Sequence, residues 1–232
     1  MNSNVKIMVE LQQHWDRVLH ARASIDKIKA SVKATEKDLS ASRSSVESLS
    51  KKVKELKNSI KQNELSLSEM GARIAKLEDR KKIIHTEKEL HALEKEIDSI
   101  RFETGKLEEK TLSLIDDLDL KEKELSRLQA EVAEQARIFE DEKAKSISDI
   151  AAHEDTIKEH NDKFDAIIDQ LSALYKSKFL KMINSRDGKG IARVDGEICG
   201  FCNFKIPSFL AIDASKDDHV VNCTNCGKYI YK

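Results

Sequence analysis

Leu11, Val18, Ile25, Val32, Leu39, Val46, Val53, Ile60, Leu67 and Ile74 follow one another at intervals of seven residues without a miss. A second apolar row runs three residues later, through Ile28, Leu49, Leu56, Met70, Leu77 and Ile84. Strands alternate every second residue, and a helix on a globular core repeats every 3.6. A period of 3.5 belongs to helices that stay in contact over their whole length as a left-handed coiled coil. His14, Thr35, Ser42 and Asn63 stand in the second row. Polar residues there either fix the register of a seam or sit at tolerant, wet positions.

The pattern then slips. Ile84 and Leu90 are six residues apart, and a new register starts at Leu90, Leu93, Ile97 and Ile100 and runs on through Leu107, Leu114, Leu118, Leu125, Leu128, Val132 and Phe139. At the slip, Thr86-Glu-Lys-Glu89 fits a capping box, in which Thr86 accepts from the Glu89 backbone N–H and Glu89 reaches back. Residues 84–88 therefore read as a turn between helices over 5–84 and 87–183. Two connected helices of similar length with apolar seams bury them by folding back on each other. A turn at Thr104-Gly105, or one continuous helix dimerising in parallel, would answer to the same periodicity.

Composition breaks near residue 185. Five of the seven glycines lie at or after Gly188, Pro207 is the only proline, and five of the eleven aromatic residues fall between Phe201 and Tyr231. The expected fold class is thus mostly α: a long antiparallel coiled-coil hairpin over 1–184, followed by a small β-rich C-terminal module over 185–232. Ile191–Val194, Asn203–Ile206, Val220–Cys223 and Lys228–Tyr231 read as its strands; the run Phe204-Lys-Ile-Pro-Ser-Phe209 either shows apolar residues at the surface or, the favoured reading in so small a module, forms its miniature core.

That module holds every cysteine of the chain: Cys199-Gly-Phe-Cys202 and, twenty residues on, Cys223-Thr-Asn-Cys226. Paired Cys-x-x-Cys turns at this separation are the ligand spacing of one tetrahedral Zn2+ per chain. With four thiolates there is no open position for a zinc-bound water, so the ion is structural and the segment is expected to fold around it. Gly200 and Gly227 each follow a cysteine, where glycine relieves a tight turn. His219 lies near the second pair but is not needed as a ligand. A redox role for the pairs is weaker, because pairs that share an ion make poor independent dithiols.

Between Leu171 and Arg193 the cations Lys176, Lys178, Lys181, Arg186, Lys189 and Arg193 face a single acid, Asp187. Such a neck suits RNA, DNA or an acidic partner. Lysines at the end of a helix also simply complement its dipole. Over the full chain the formal net charge is −1 with 36% charged residues, so the molecule as a whole is no trap for nucleic acid. No apolar run approaches a membrane span, and Met1–Leu19 lacks the apolar stretch of a signal peptide. These features, with thiol ligands, point to the cytoplasm. The histidines are scattered: His153 and His160 share a helical face without a joining cysteine or carboxylate pair. A two-helix rod offers no pocket, and no nucleophile or phosphate-loop motif occurs, so no enzyme is expected.

Two stretches resemble a bacterial family with a coiled-coil hairpin and a C-terminal four-cysteine zinc ribbon. They are Glu87-Lys-Glu-Leu-His-Ala-Leu-Glu-Lys-Glu-Ile97 and the ending Cys223-Thr-Asn-Cys226-Gly-Lys-Tyr-Ile-Tyr231. Lys228 and Ile230 depart from the family's Arg and Leu, and Phe201 stands where glycine is frequent. The resemblance implies an adaptor or chaperone-like protein of flagellar or non-flagellar type III secretion. Its implied partners are the regulator of the export ATPase and the nitrogen-type alternative sigma factor, with RNA binding near the ribbon. A homodimer is left open. The alternative is an RNA- or DNA-binding regulator that uses the ribbon and basic neck.

Overall fold

The computed structural model describes residues 1–232. Its elements are α1 (Ser3–Lys81), α2 (Glu87–Ile168), α3 (Ala173–Ile183), β1 (Ile191–Asp195), β2 (Ile198–Cys199), α4 (Ser208–Asp213), β3 (Val221–Asn222) and β4 (Tyr229–Tyr231). The two long helices form a hairpin and the strands a small C-terminal sheet. The chain divides into two compact units, Ala34–Asp141 and Met1–Lys33 with Glu142–Lys232.

In the first of these units α1 and α2 run antiparallel. Lys57 meets Glu122, Arg73 meets Glu96, Arg101 meets Glu78 and Lys81 meets Glu94, each at 2.6 Å. From Lys57 to Lys81 on α1 the partner moves back from Glu122 to Glu94 on α2, which requires opposed directions. Between them the seam residues Leu49, Val53, Ile60, Leu93, Ile97 and Ile100 are buried. The connection occupies residues 82–86, and Thr104-Gly105 lies well inside α2. At the start of α2 the Leu90 N–H donates to the Thr86 carbonyl at 3.0 Å. The Thr86 hydroxyl donates to the Glu89 carboxylate at 2.5 Å, side chain to side chain, in place of the expected reciprocal bonds to backbone. Asn63 leaves its amide Nδ2 buried without a partner.

In the other unit the expected helix over 87–183 is broken. α2 ends at Ile168 and α3 starts at Ala173. No glycine or proline marks the break. The chain turns through bonds from Gln170 N–H to Ile167 and from Leu171 N–H to Ile168, and the Ser172 N–H donates to the Asn4 side chain at 3.1 Å. The gain is burial: the redirected α3 sinks Phe179 and Ile183 into a core with Val5, Met8, Leu11, Phe164, Ile168, Leu171, Ile191 and Tyr229. One layer of this end of the seam is polar. His14 Nδ1 and His160 Nδ1 lie 2.8 Å apart. Burial, then the nearness of His160, lowers the proton affinity of His14.

The sheet has the order β2-β1-β4-β3, with β1 and β4 parallel (Ile191 opposite Tyr229) and both edge pairs antiparallel. Of the strand expected at Asn203–Ile206 only the bridge between Ile198 and Lys205 forms. The helix α4 was not expected. It turns Ala211 inward beside Ile206, but leaves Phe204 48%, Phe209 63% and Ile212 58% exposed, so only Ile206 of the Phe204–Phe209 run joins the core.

Candidate metal centre

Two loops of the same construction carry the cysteines. In the first, the Cys199 N–H donates to the Phe204 carbonyl at 3.0 Å and the Asn203 N–H to the Cys199 carbonyl at 2.9 Å. In the second, the Cys223 N–H donates to the Lys228 carbonyl at 2.8 Å and the Gly227 N–H to the Cys223 carbonyl at 2.9 Å. The residue after the second cysteine is left-handed in both, Asn203 at φ 55° and Gly227 at φ 71°. Asparagine and glycine are the residues that tolerate this region. Asn203, not Gly200, is therefore the counterpart of Gly227. Gly200 is required for another reason: a Cβ there would stand 2.6 Å from the Arg193 carbonyl oxygen, to which the Gly200 N–H donates at 2.9 Å.

The two loops bring the four sulfurs within 4.8 Å of one another. Cys199 Sγ is 3.9 Å from Cys226 Sγ and Cys202 Sγ 3.7 Å from Cys223 Sγ. Four sulfurs about 2.3 Å from one ion in tetrahedral array are separated by about 3.8 Å, so the cluster fits a single ion. Backbone N–H groups of Phe201 and Cys202 point at the Cys199 sulfur, that of Phe204 at Cys202 and that of Lys228 at Cys226. These donors favour thiolate. Burial pushes the Cys199 and Cys226 thiols up, Cys226 to about 12. At Cys202 burial acts in the same sense, but the Phe204 N–H, the Asn225 side chain and the Cys199 and Cys226 thiols outweigh it and bring the thiol down to about 6. A cation among the sulfurs would favour thiolate at all four. His219 lies outside the cluster, beside Asp218.

The ribbon is fixed to the helices by Gln12, a residue with no signature in the heptad pattern. Gln12 is buried; its Nε2 donates to the Gly188 carbonyl at 2.9 Å and its Oε1 accepts from the Gly190 N–H at 2.7 Å. Nothing in heptad spacing marks Gln12, since it lies beside the seam residue Leu11. Gly188 and Gly190 let the backbone come this close: a Cβ on Gly190 would meet Phe179 at 2.4 Å, and one on Gly188, at φ 64°, would meet Leu19 at 2.3 Å.

The basic neck separates into two groups. Lys176 pairs with Asp169 at 2.6 Å and Lys189 with Asp16 at 2.5 Å, while Asp187 is taken by Lys228, a buried lysine, at 2.8 Å. Lys178 lies over the Tyr229 ring at 5.2 Å. Lys181, Arg186 and Arg193 are exposed. Arg193 borders a crease of about 220 Å³ with Val9, Gln13, Phe201 and Tyr231. Asp16 and Asp169, distant or just outside the neck in sequence, thus offset part of the charge counted along the chain. No helix is long and apolar enough to cross a membrane.

Three solved structures share this fold. CT398 from Chlamydia trachomatis superposes with a TM-score of 0.86 at 17% identity, covering 98% of this chain and 97% of that one. The HP0958 protein from Helicobacter pylori gives 0.62 at 17%, over 99% and 97%. A chain from Mycobacterium smegmatis gives 0.60 at 18%, over 100% of each. No curated protein matches the sequence. The family model for the CT398-like coiled-coil hairpin domain matches residues 8–179; the chain belongs to that family.

Proposed function

We propose that this protein is a non-enzymatic cytoplasmic adaptor whose coiled coil docks helical segments of other proteins, and whose four cysteines hold one structural zinc ion. The observation that carries the reading is the distribution of apolar surface along the hairpin. Its seam is satisfied internally, yet Leu65, Phe102, Leu112 and Leu120 stand outside the seam at 59–66% exposure. Aromatic and aliphatic anchors on an otherwise charged rod suit an amphipathic partner helix. The resemblance to the hairpin-and-ribbon family supplies the candidate partners: a type III secretion or flagellar export-ATPase regulator and the nitrogen-type alternative sigma factor. For the ion, an all-thiolate tetrahedral set is what zinc favours.

The test is affinity capture with the full chain from a lysate of a host with type III secretion, with and without nuclease, beside a Phe102→Asp/Leu120→Glu variant. Export-apparatus or sigma-factor subunits that survive nuclease and vanish with the variant support the adaptor. Capture lost to nuclease, and lost also on replacing Lys181, Arg186 and Arg193 by Glu, would move the function to nucleic acid.

A further inference from the structure

A ladder of ion pairs along one side of the hairpin skips two rungs. Lys57 meets Glu122 and, further along, Glu78 meets Arg101, each at 2.6 Å. Lys57 and Glu78 are 21 residues apart, as are Arg101 and Glu122. That is three heptads, so both pairs stand on the same side of the seam. Stepping by seven from the first pair toward the second sets Glu64 opposite Ile115 and Gly71 opposite Glu108. Both glutamates are exposed, and neither has an ion pair.

Small and apolar residues fill the rest of that side. Ser68, Gly71 and Ala75 lie there on α1, and Gly105, Leu112 and Ile115 on α2, all exposed. Between Glu64 and Ala75, and between Gly105 and Ile115, no cation shares the side. The opposite side, marked by Arg73 and Glu96 at 2.6 Å, carries Glu69, Lys76, Glu103, Lys106 and Lys110, charges of both signs, as a solvated flank does. The two glycines have no internal cause. They follow Met70 and Thr104, whose side chains meet across the seam at 3.6 Å, so they stand at one level of the hairpin. A glycine inside a helix weakens it, yet a Cβ at either position would meet nothing within 4 Å. The missing side chains leave room for a backbone that approaches from outside.

We propose, extending the adaptor reading on which this rests, that the side of the hairpin between the Lys57–Glu122 and Glu78–Arg101 pairs seats a cationic amphipathic helix of a partner protein. Its apolar face lies against Gly71, Gly105, Leu112 and Ile115. Two of its Lys or Arg residues complete the skipped rungs at Glu64 and Glu108. Successive rungs are about 10 Å apart along the axis, so those two cations are about seven residues apart on the partner.

The probe is a labelled three-heptad helical peptide with Leu and Ala on one face and Lys at two positions seven apart, beside a twin with Glu in place of Lys. Each is titrated by fluorescence anisotropy into the full-length protein. The expected result is one-to-one binding of the Lys peptide, weakened by salt, and none of the Glu twin. Gly71→Leu/Gly105→Leu abolishes binding while raising Tm, because leucine is the better helix former in open space; a folding defect would lower Tm instead. Glu64→Gln/Glu108→Gln weakens binding about five- to tenfold. Ser113→Leu, on the opposite side, leaves it unchanged. No binding, binding that survives the leucine pair, or equal binding of the Glu twin would overturn the site. Wild-type self-association that the leucine pair abolishes, with no peptide bound, would overturn it in favour of a second copy of this chain. A leucine pair that still captures the partners lost by Phe102→Asp/Leu120→Glu would leave the adaptor standing and remove this side from it.

Discussion

Gln12 clasps Gly190: the backbone N–H of the glycine donates to the Gln12 carboxamide oxygen at 2.7 Å, across 178 residues of chain. With the return bond from Gln12 Nε2 to the Gly188 carbonyl, one side chain satisfies both polar groups of a backbone segment that is buried on α1. The ribbon does not swing at Ser185–Gly190; it is fastened there.

Replacing Gln12 by Leu keeps bulk but orphans a buried N–H and a buried C=O. Each orphan costs about 1–3 kcal/mol, so the variant is expected to lose about 2–6 kcal/mol. Thermal unfolding measures the loss. Amide exchange at Gly190 should rise far more than at Ile60, and equal protection in both proteins would contradict the clasp.

Phe179 is fully buried where α3, α1 and the ribbon meet. Phe179→Ala should cost about 3–5 kcal/mol. Leu174, five residues earlier on the same helix, is 76% exposed, and Leu174→Ala should change stability by no more than about 0.5 kcal/mol. Denaturant midpoints for the two variants decide whether α3 is packed as described.

The left-handed residues of the two cysteine loops give opposed outcomes. Asn203→Gly should be neutral or slightly stabilising, and Asn203→Val should cost about 1–2 kcal/mol, because a β-branched residue is strained at positive φ. Gly227→Ala should cost about 1 kcal/mol. The readout is zinc retention against a competing chelator. Equal retention in all three variants would show that the loops do not depend on these φ values.

Removal of the proposed zinc ion should unfold the ribbon and spare most helix. A ribbon this small buries little apolar surface without its metal, whereas the seam of the hairpin is independent of it. Chelation should therefore abolish amide protection at Ala192, Val194 and Ile230 while the far-UV helical signal changes little. Zinc content of one per chain, falling in Cys199→Ser, is the companion measurement.

Acid should loosen the ribbon at the Asp187–Lys228 pair. The hydrogen bond from Lys228, with those from the Lys189 backbone and Ser185, holds the Asp187 carboxyl below the usual carboxylate range, against burial, which acts to raise it. A depressed folded-state value contributes stability that is present above the unfolded carboxylate value, about 3.9, and is lost as pH falls through the folded value. Asp187→Asn should thus lower Tm at pH 7, leaving Lys228 buried without its counter-charge, and the gap to wild type should close toward pH 3. A gap that does not change with pH would assign the effect to packing.

The seam, the turn and the cysteine loops were legible because each is encoded locally, by a period, a slip or a fixed spacing. The break at 169–172 was not: Leu171 continues an apolar pattern and no Gly or Pro interrupts it, so the helix yields only to the tertiary gain of burying Phe179 and Ile183. Strand Asn203–Ile206 failed for the opposite reason, since Asn203 and Phe204 are used to close the Cys199 loop and the Ile206 N–H donates to the Glu197 carbonyl. Gln12, Asp16 and Asp169 carry no local signature, because their partners lie elsewhere in the sequence or across a helix break. His14 was visible as a polar seam residue, and His160 only as sharing a helical face with His153. Only the register between the helices shows that they meet.

Val5, Met8 and Leu11 are covered by Phe164, Ile168, Ile191 and Tyr229. On a translating ribosome the first three emerge well before any of their covers. At 5–20 residues per second that wait is roughly ten to forty seconds. Throughout it an apolar strip near the start of the chain has nothing of its own to lie against. The cell must either shield this strip as it is made or tolerate its sticking, so the rate of successful synthesis should depend on chaperone supply more than the stability of the finished fold would suggest.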